Sequence, residues 1–169
     1  MNLPNKLTIA RILMIPLCLL FLLVKWNMVA AVVFLLACLT DFLDGYIARS
    51  QNLVTNFGKF ADPVADKILV LSCMAVLLYQ RLLPWWVVVI VIIRELAVDG
   101  LRLVAVEQGV VIPAGQLGKV KTVVQMACVV AAMLMLSPWV VILLSVAASV
   151  LTILSGAEYF KGAKDLLLQ

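Results

Sequence analysis

The chain has 169 residues, of which 66% are hydrophobic and only 13% are charged, with a formal net charge of +4. A soluble domain of this length needs far more polar surface to cover its core. Histidine is absent, which excludes a Ser-His-Asp triad, a Cys-His pair and an imidazole metal site. The four cysteines lie one to an apolar stretch, without the spacing of a zinc site or a CxxC motif, and are expected in the core: Cys18, Cys38, Cys73 and Cys128.

Six apolar stretches follow one another along the chain. They cover roughly residues 8–25, 27–48, 60–80, 84–106, 117–136 and 138–160. Each is about as long as a helix needs to cross a hydrocarbon layer of ~30 Å. The first is interpreted as a transmembrane helix bent near Pro16 rather than as a signal peptide, because further spans follow it at once. We therefore predict an all-α integral membrane protein with six transmembrane helices, as a single domain over residues 1–169.

The basic residues give an orientation. With the N-terminus in the cytoplasm, only Lys25 and Arg81 fall on the opposite side, and the other eleven lysines and arginines fall on the cytoplasmic side. This bias follows the positive-inside rule and requires an even number of spans. The sequence thus predicts a multi-pass protein of the plasma membrane with both termini in the cytoplasm.

Four of the nine acidic residues lie within 26 residues of one another: Asp41, Asp44, Asp62 and Asp66. At 100° per residue, each of two successive helices presents two of these carboxylates beside Gly and Ala. The small residues alone fit close helix packing. Each charge deep in a span costs on the order of 2.5–3.5 kcal/mol, however, and divalent cations between the carboxylates would remove that cost and their repulsion. Oxygen ligands alone favour Mg²⁺, Mn²⁺ or Ca²⁺.

The same segment resembles a family signature. Asp41-Phe-Leu-Asp44-Gly45-Tyr-Ile-Ala48-Arg49 is followed by eight residues and then by Gly58-Lys-Phe-Ala-Asp62-Pro-Val-Ala-Asp66. This resembles the pattern DxxDGxxAR, eight residues, GxxxDxxxD of the CDP-alcohol phosphatidyltransferases at every fixed position. The six-helix membrane fold of that family, the CDP-alcohol phosphotransferase fold, agrees with the number of apolar stretches.

The resemblance implies a mechanism. Two Mg²⁺ or Mn²⁺ ions would lie on Asp41, Asp44, Asp62 and Asp66, with Asp66 also acting as the general base on the incoming hydroxyl. The CDP-linked lipid would be bound at Asp41, Gly45, Ala48, Arg49 and Gly58. The acceptor hydroxyl attacks the phosphorus next to the diacylglycerol, and CMP leaves. Relatives work as homodimers, and no nucleic-acid partner is expected.

The acceptor is predicted from basic residues in the later stretches. Arg94 and Arg102 lie about 80° apart around one helix, and Lys121 lies on the next, which suits a phosphorylated alcohol. The segments around them and the N-terminal NKLTIAR segment, which contains Thr8 and Arg11, resemble bacterial phosphatidylglycerophosphate synthases. That resemblance implies CDP-diacylglycerol and sn-glycerol 3-phosphate as substrates, with all five residues near the acceptor phosphate. Asp99 departs from the pattern and is expected to pair with Arg102 or Lys121.

Three alternatives stay open at this point. Another member of the family would use inositol phosphate, serine or phosphatidylglycerol as the acceptor. A prenyltransferase of the UbiA type also uses membrane aspartates and Mg²⁺, but with more helices and two separated aspartate motifs. A cation transporter would need polar residues through both leaflets, which the non-cytoplasmic halves of these helices lack.

Overall fold

A computed structural model describes the backbone at residues 3–50, 56–110 and 115–163, and the side chains at residues 7–41, 61–110 and 115–163. Within these ranges the chain forms six α-helices and no strand. The helices are α1 (Leu3–Leu23), α2 (Asn27–Ser50), α3 (Asn56–Tyr79), α4 (Trp85–Glu107), α5 (Gln116–Met133) and α6 (Pro138–Gly162). The predicted number and order of helices are confirmed.

Two helices begin earlier than their apolar stretches. The first helix begins at Leu3 instead of residue 8, and the third at Asn56 instead of residue 60. Apolar patterning marks only the part of a helix that faces an apolar environment, so polar first turns fall outside it. Pro4 is compatible with the first turn of α1, where its missing N–H would have no partner within the helix. Helix α1 also continues through Pro16.

Helix α6 is the longest and the most apolar. By length and composition, it is the one helix within the described ranges that meets the requirement for crossing a membrane. The described apolar parts of α1 and α2, Leu7–Leu23 and Asn27–Asp41, are shorter. The crossing of the bilayer by these helices therefore stays a prediction.

Four helices end in the same hydrogen-bonded turn. An N–H just beyond each helix donates to the carbonyl five residues back, and the preceding N–H donates to the carbonyl three residues back, which is the Schellman motif. The residue that donates three residues back adopts positive φ: Lys25 (62°), Arg81 (60°), Gly109 (73°) and Met135 (52°). Three of these ends therefore place a residue with a Cβ in the left-handed region, which favours glycine.

The helices divide into two compact units, which are described separately. The first consists of α1, α2 and α3 together with Ala132–Met135. Helix α1 packs along both α2 and α3, and its side chains Cys18 and Leu22 are fully buried. Cys18 Sγ lies 3.7 Å from Cys73 Sγ of α3, and both thiols are free. The predicted core placement of the cysteines is confirmed, with Cys38 only half-buried.

The second unit consists of α4, most of α5, and α6. Helix α4 packs against α6, and Cys128 Sγ of α5 lies 3.4 Å from Ser145 Oγ of α6. Helix α6 buries several hydroxyl side chains, and two of them donate to carbonyls of their own helix: Thr152 to Ala148 at 2.6 Å, and Ser155 to Thr152 at 3.1 Å. These bonds satisfy the hydroxyls locally, so small polar side chains can pack in an apolar interior.

The turn at the end of α3 gives a stability prediction. We expect Arg81→Gly to be more stable than Arg81→Ala by about 1 kcal/mol, because only glycine adopts positive φ without a steric cost. The two variants lose the same exposed side chain, so each controls for the other. Thermal unfolding in detergent, followed by tryptophan fluorescence, measures the difference. Equal stability would contradict a left-handed conformation at this position.

Candidate active site

Side chains from three helices meet at an aspartate cluster in the first unit, formed by Asp41 of α2 and Asp62 of α3. Arg11 of α1 lies with its Nη1 atom 2.7 Å from Asp41 Oδ1 and 3.8 Å from Asp62 Oδ1. The hydroxyl of Thr8, one turn before Arg11, donates to Asp62 Oδ1 at 2.6 Å. One guanidinium therefore connects carboxylates from two helices, and a hydroxyl from its own helix orients one of them.

The members of this cluster differ in exposure. The side chain of Arg11 is 0% exposed, whereas those of Asp41 and Asp62 are 37% and 35% exposed. The guanidinium therefore lies beneath the carboxylates, and the carboxylates face outward. A ligand can reach the two aspartates without displacing the arginine.

The remaining residues of the signature are only partly described. Asp66 lies one turn after Asp62 on α3 and is half-buried. The other five lie in α2 or α3 with side chains outside the described residues: Asp44, Gly45, Ala48, Arg49 and Gly58. Among the side chains that are described, no three of His, Cys, Asp or Glu group closely enough to hold a metal. The predicted site of four carboxylates and the predicted CDP-lipid contacts stay predictions.

The chemistry of the donor set nevertheless fits a hard divalent cation. Asp41 and Asp62 are 21 residues apart in the sequence, yet both carboxylates lie within 3.8 Å of the same Arg11 nitrogen. Mg²⁺ and Mn²⁺ prefer such oxygen ligands, and partial exposure leaves room for water and phosphate oxygens in the coordination shell. No histidine competes for the site with a softer metal.

A second charged cluster lies within the second unit. Glu95 of α4 is buried and accepts hydrogen bonds from the ammonium group of Lys121 on α5 and, at 3.3 Å, from Arg94 Nη1. The side chains of Lys121, Glu95 and Arg94 are 5%, 9% and 14% exposed. Two cations thus share one carboxylate in a largely buried setting, where charges interact more strongly than in water.

Two glycines border Arg94. A Cβ at Gly156 of α6 would lie 3.4 Å from Arg94 Cγ, and one at Gly118 of α5 would lie 3.9 Å from Arg94 Nη2. Both are ordinary van der Waals distances, so the arginine packs closely against α5 and α6 at these two positions. Its buried Nε has no hydrogen-bond partner within the described part of the chain. A buried guanidinium N–H without a partner is costly, and an anionic ligand would satisfy it.

The predicted acceptor residues divide into three groups. Arg94 and Lys121 share Glu95, as described above. Arg102 donates from Nε to the Tyr159 hydroxyl at 2.8 Å, and its guanidinium carbon lies 5.2 Å from the centre of that ring. Thr8 and Arg11 contact aspartates in the first unit. Phosphate binding by these five residues stays a prediction, as does the pairing expected of Asp99.

Sequence reasoning missed two residues that position the cations. Glu95 carries a signal that could have revealed it, because it is a carboxylate in the middle of an apolar stretch and must find a partner. Tyr159 carries no such signal. Its role depends on α6 lying against α4, which brings its hydroxyl to an arginine 57 residues away.

Comparison with known proteins identifies relatives along almost the whole chain. The family model described as CDP-alcohol phosphatidyltransferase matches residues 1–153. A Bacillus subtilis protein named CDP-diacylglycerol–glycerol-3-phosphate 3-phosphatidyltransferase is 41% identical, with 94% of this chain and 93% of the relative covered. Proteins of the same name from Rickettsia felis (39% identical, 96% of each chain covered) and Escherichia coli (38% identical, 99% and 98% covered) are also similar.

The buried pair of Glu95 and Lys121 gives a prediction by double-mutant cycle. Glu95→Gln and Lys121→Met should each destabilise the protein by about 3 kcal/mol, because each removes one charge of a buried ion pair and leaves the other poorly compensated. The loss in free energy of unfolding of the double variant should be smaller than the sum of the two single losses, with a difference of more than about 1 kcal/mol. Unfolding in detergent measures all four proteins.

The exposed Lys119 supplies the matched control for this cycle. Lys119→Met removes a cation two residues before Lys121 on the same helix and should combine additively with Glu95→Gln. Additivity in the Lys121 cycle as well would show that the buried ion pair does not contribute to stability.

Proposed function

The chain belongs to the CDP-alcohol phosphatidyltransferase family, and from that premise we propose that it transfers the phosphatidyl group of CDP-diacylglycerol to sn-glycerol 3-phosphate. The products are phosphatidylglycerophosphate and CMP, and the reaction belongs to phospholipid biosynthesis. The observation that carries this conclusion is the close similarity, at about 40% identity over nearly the whole length, to proteins whose names state this donor and acceptor.

The aspartate cluster is proposed as the site of the donor diphosphate. Asp41, Asp44 and Asp62 would share two Mg²⁺ or Mn²⁺ ions, with Asp66 completing the shell of one. Bound there, the ions would neutralise the diphosphate and the charge that develops on the leaving phosphate. The outward-facing carboxylates of Asp41 and Asp62 support this assignment, because they can be reached from outside the helices.

The chain's own groups would orient the substrates and move the proton. The acceptor oxygen forms a bond to the phosphorus that carries the diacylglycerol, the bond from that phosphorus to the bridging oxygen breaks, and CMP leaves with that oxygen. Asp66 would accept the hydroxyl proton, and position matters more than pKa for so weak a base. Gly45, Ala48, Arg49 and Gly58 are proposed to make space for the CDP group and contact it.

The acceptor phosphate is proposed to bind at Arg94, Arg102 and Lys121. The buried Nε of Arg94, which has no partner among the described residues, supports an anionic ligand. Glu95 and Tyr159 would hold Lys121 and Arg102 in place before the ligand binds. Prior orientation of cations reduces the entropy that binding costs, and a guanidinium matches the geometry of a phosphate.

The protein is proposed to lie in the plasma membrane as a homodimer, with six spans and a site open to the cytoplasm. The family is membrane-associated. The described helices contain 18–25 residues, and many of their large apolar side chains are exposed, among them Leu13, Ile93 and Leu143. Both features suit a hydrocarbon environment. The distribution of basic residues supports cytoplasmic termini.

Release of CMP is the direct test of the reaction. Purified protein in detergent with Mg²⁺ and CDP-diacylglycerol should release CMP when glycerol 3-phosphate is added, and EDTA should abolish the release. Inositol phosphate, serine and phosphatidylglycerol, each tested separately, should give none. Asp66→Asn should lower turnover by roughly 10²–10⁴-fold, because it removes the general base, while CDP-lipid binding is retained.

Each result bears on a different part of the proposal. Release with another acceptor would keep the mechanism and change the substrate. Turnover unaffected by EDTA would contradict the metal site. Normal activity of Asp66→Asn would contradict the role of Asp66 as a base.

The acceptor site gives a separate kinetic prediction. Arg94→Ala should raise KM for glycerol 3-phosphate by about 10–100-fold, which corresponds to the loss of a charge-assisted hydrogen bond, with little change in KM for CDP-diacylglycerol. The exposed Lys161 of α6 is the control, since Lys161→Ala removes a cation outside the proposed site. An equal effect of Arg94→Ala on both substrates would place Arg94 outside the acceptor site.

A further inference from the structure

We infer that Arg11 is an internal counter-ion that keeps the aspartate cluster assembled when no metal is bound, with Thr8 fixing the orientation of Asp62. This inference rests on the proposed metal site. It gives Arg11 and Thr8 a role toward the carboxylates instead of toward the acceptor phosphate. Arg11 is then a positioning residue, because it acts through Asp41 and Asp62.

The geometry assigns Arg11 to the aspartates. Its Nη1 atom lies 2.7 Å from Asp41 Oδ1, within ion-pair distance, and 3.8 Å from Asp62 Oδ1. Thr8 adds a bond of 2.6 Å to the same Asp62 oxygen. Helix α1 thus supplies both partners, and each is one helical turn from the other.

Burial argues against direct binding of the acceptor by Arg11. The side chain is 0% exposed, so it offers no surface to a ligand arriving from solution, while both carboxylates are about one third exposed. A ligand would meet the aspartates first. The arginine is therefore assigned a role toward the two carboxylates that it contacts.

Electrostatics explains why such a residue is needed. Asp41 and Asp62 come from different helices, and two carboxylates this close repel each other. A metal compensates the repulsion when it is bound, but the protein must also fold and persist without metal. A buried guanidinium between the carboxylates supplies that compensation permanently, and its rigid fork can bond two of them at once.

This role predicts a coupling between Arg11 and the metal. Both compensate the same carboxylates, so removal of the arginine leaves a repulsion that only the metal can relieve. In Arg11→Gln, the rise in Tm on adding Mn²⁺ should exceed that of the wild type by roughly 10 °C, about the shift that a buried ion pair gives in a chain of this size. The Tm of Arg11→Gln should fall below that of the wild type mainly in EDTA, and much less with Mn²⁺ bound.

The experiment compares four proteins in detergent, with EDTA and with saturating Mn²⁺. Tryptophan fluorescence reports Tm, and electron paramagnetic resonance of free Mn²⁺ reports metal binding without any substrate. Arg11→Lys keeps the charge and should respond to Mn²⁺ nearly as the wild type does. Leu22→Ala is the matched control, because it removes a fully buried side chain at the other end of α1 and should lower Tm equally with and without metal.

The outcomes separate the inference from the proposed function. If Mn²⁺ binds and the shift in Arg11→Gln equals that of the wild type, the inference is overturned and the metal site stands. If the two Mn²⁺-induced shifts are equal and Arg11→Gln also has a raised KM for glycerol 3-phosphate, Arg11 is an acceptor ligand. If the wild type binds no Mn²⁺, the metal site itself is wrong and the inference falls with it.

A second variant keeps the test decisive if Arg11→Gln does not fold. Thr8→Val removes the hydroxyl bond to Asp62 and leaves the formal charge unchanged. The rise in Tm on adding Mn²⁺ should again exceed that of the wild type, by less than in Arg11→Gln. A wild-type response in Thr8→Val would then overturn the inference.

Discussion

Compensation of charge within apolar helices is the constraint on which the first unit depends. Asp41 and Asp62 stand on helices rich in aliphatic residues, where an isolated carboxylate is costly. The guanidinium of Arg11 lies beneath them and is shielded from solvent, which strengthens its interaction with both. The contacts of α1 with α2 and α3 are therefore electrostatic at the site and apolar further along, around Cys18 and Leu22. The same packing that buries the arginine turns the carboxylates outward.

The second unit also compensates charge within apolar helices, but there the central buried charge is negative. Here Glu95 is the buried anion, and it accepts hydrogen bonds from both Lys121 and Arg94. Two cations beside one carboxylate suit the proposed phosphorylated acceptor, and Gly118 and Gly156 lie at van der Waals distance from Arg94.

Local patterns predicted most of the fold and led to the family. Helix number and order follow from apolar stretches separated by turn residues, and the resemblance that led to the family follows from aspartates at fixed spacing within two helices. The first turns of α1 and α3 were not predicted, because Pro, Gly and polar residues interrupt the apolar pattern there. The contact between the free thiols of Cys18 and Cys73 was also not predicted. The two residues are 55 positions apart and meet only when α1 packs on α3.

The sequence by itself determined the class of protein, the helical architecture and the family, because composition, periodicity and motif spacing are properties of neighbouring residues. Only the tertiary structure decided which charges are paired. Thr8 and Asp62 are 54 residues apart, and Arg102 and Tyr159 are 57 apart, so no local pattern links them. The packing of whole helices fixes these partners, and it places Arg11, predicted by resemblance as an acceptor-phosphate ligand, beside two aspartates.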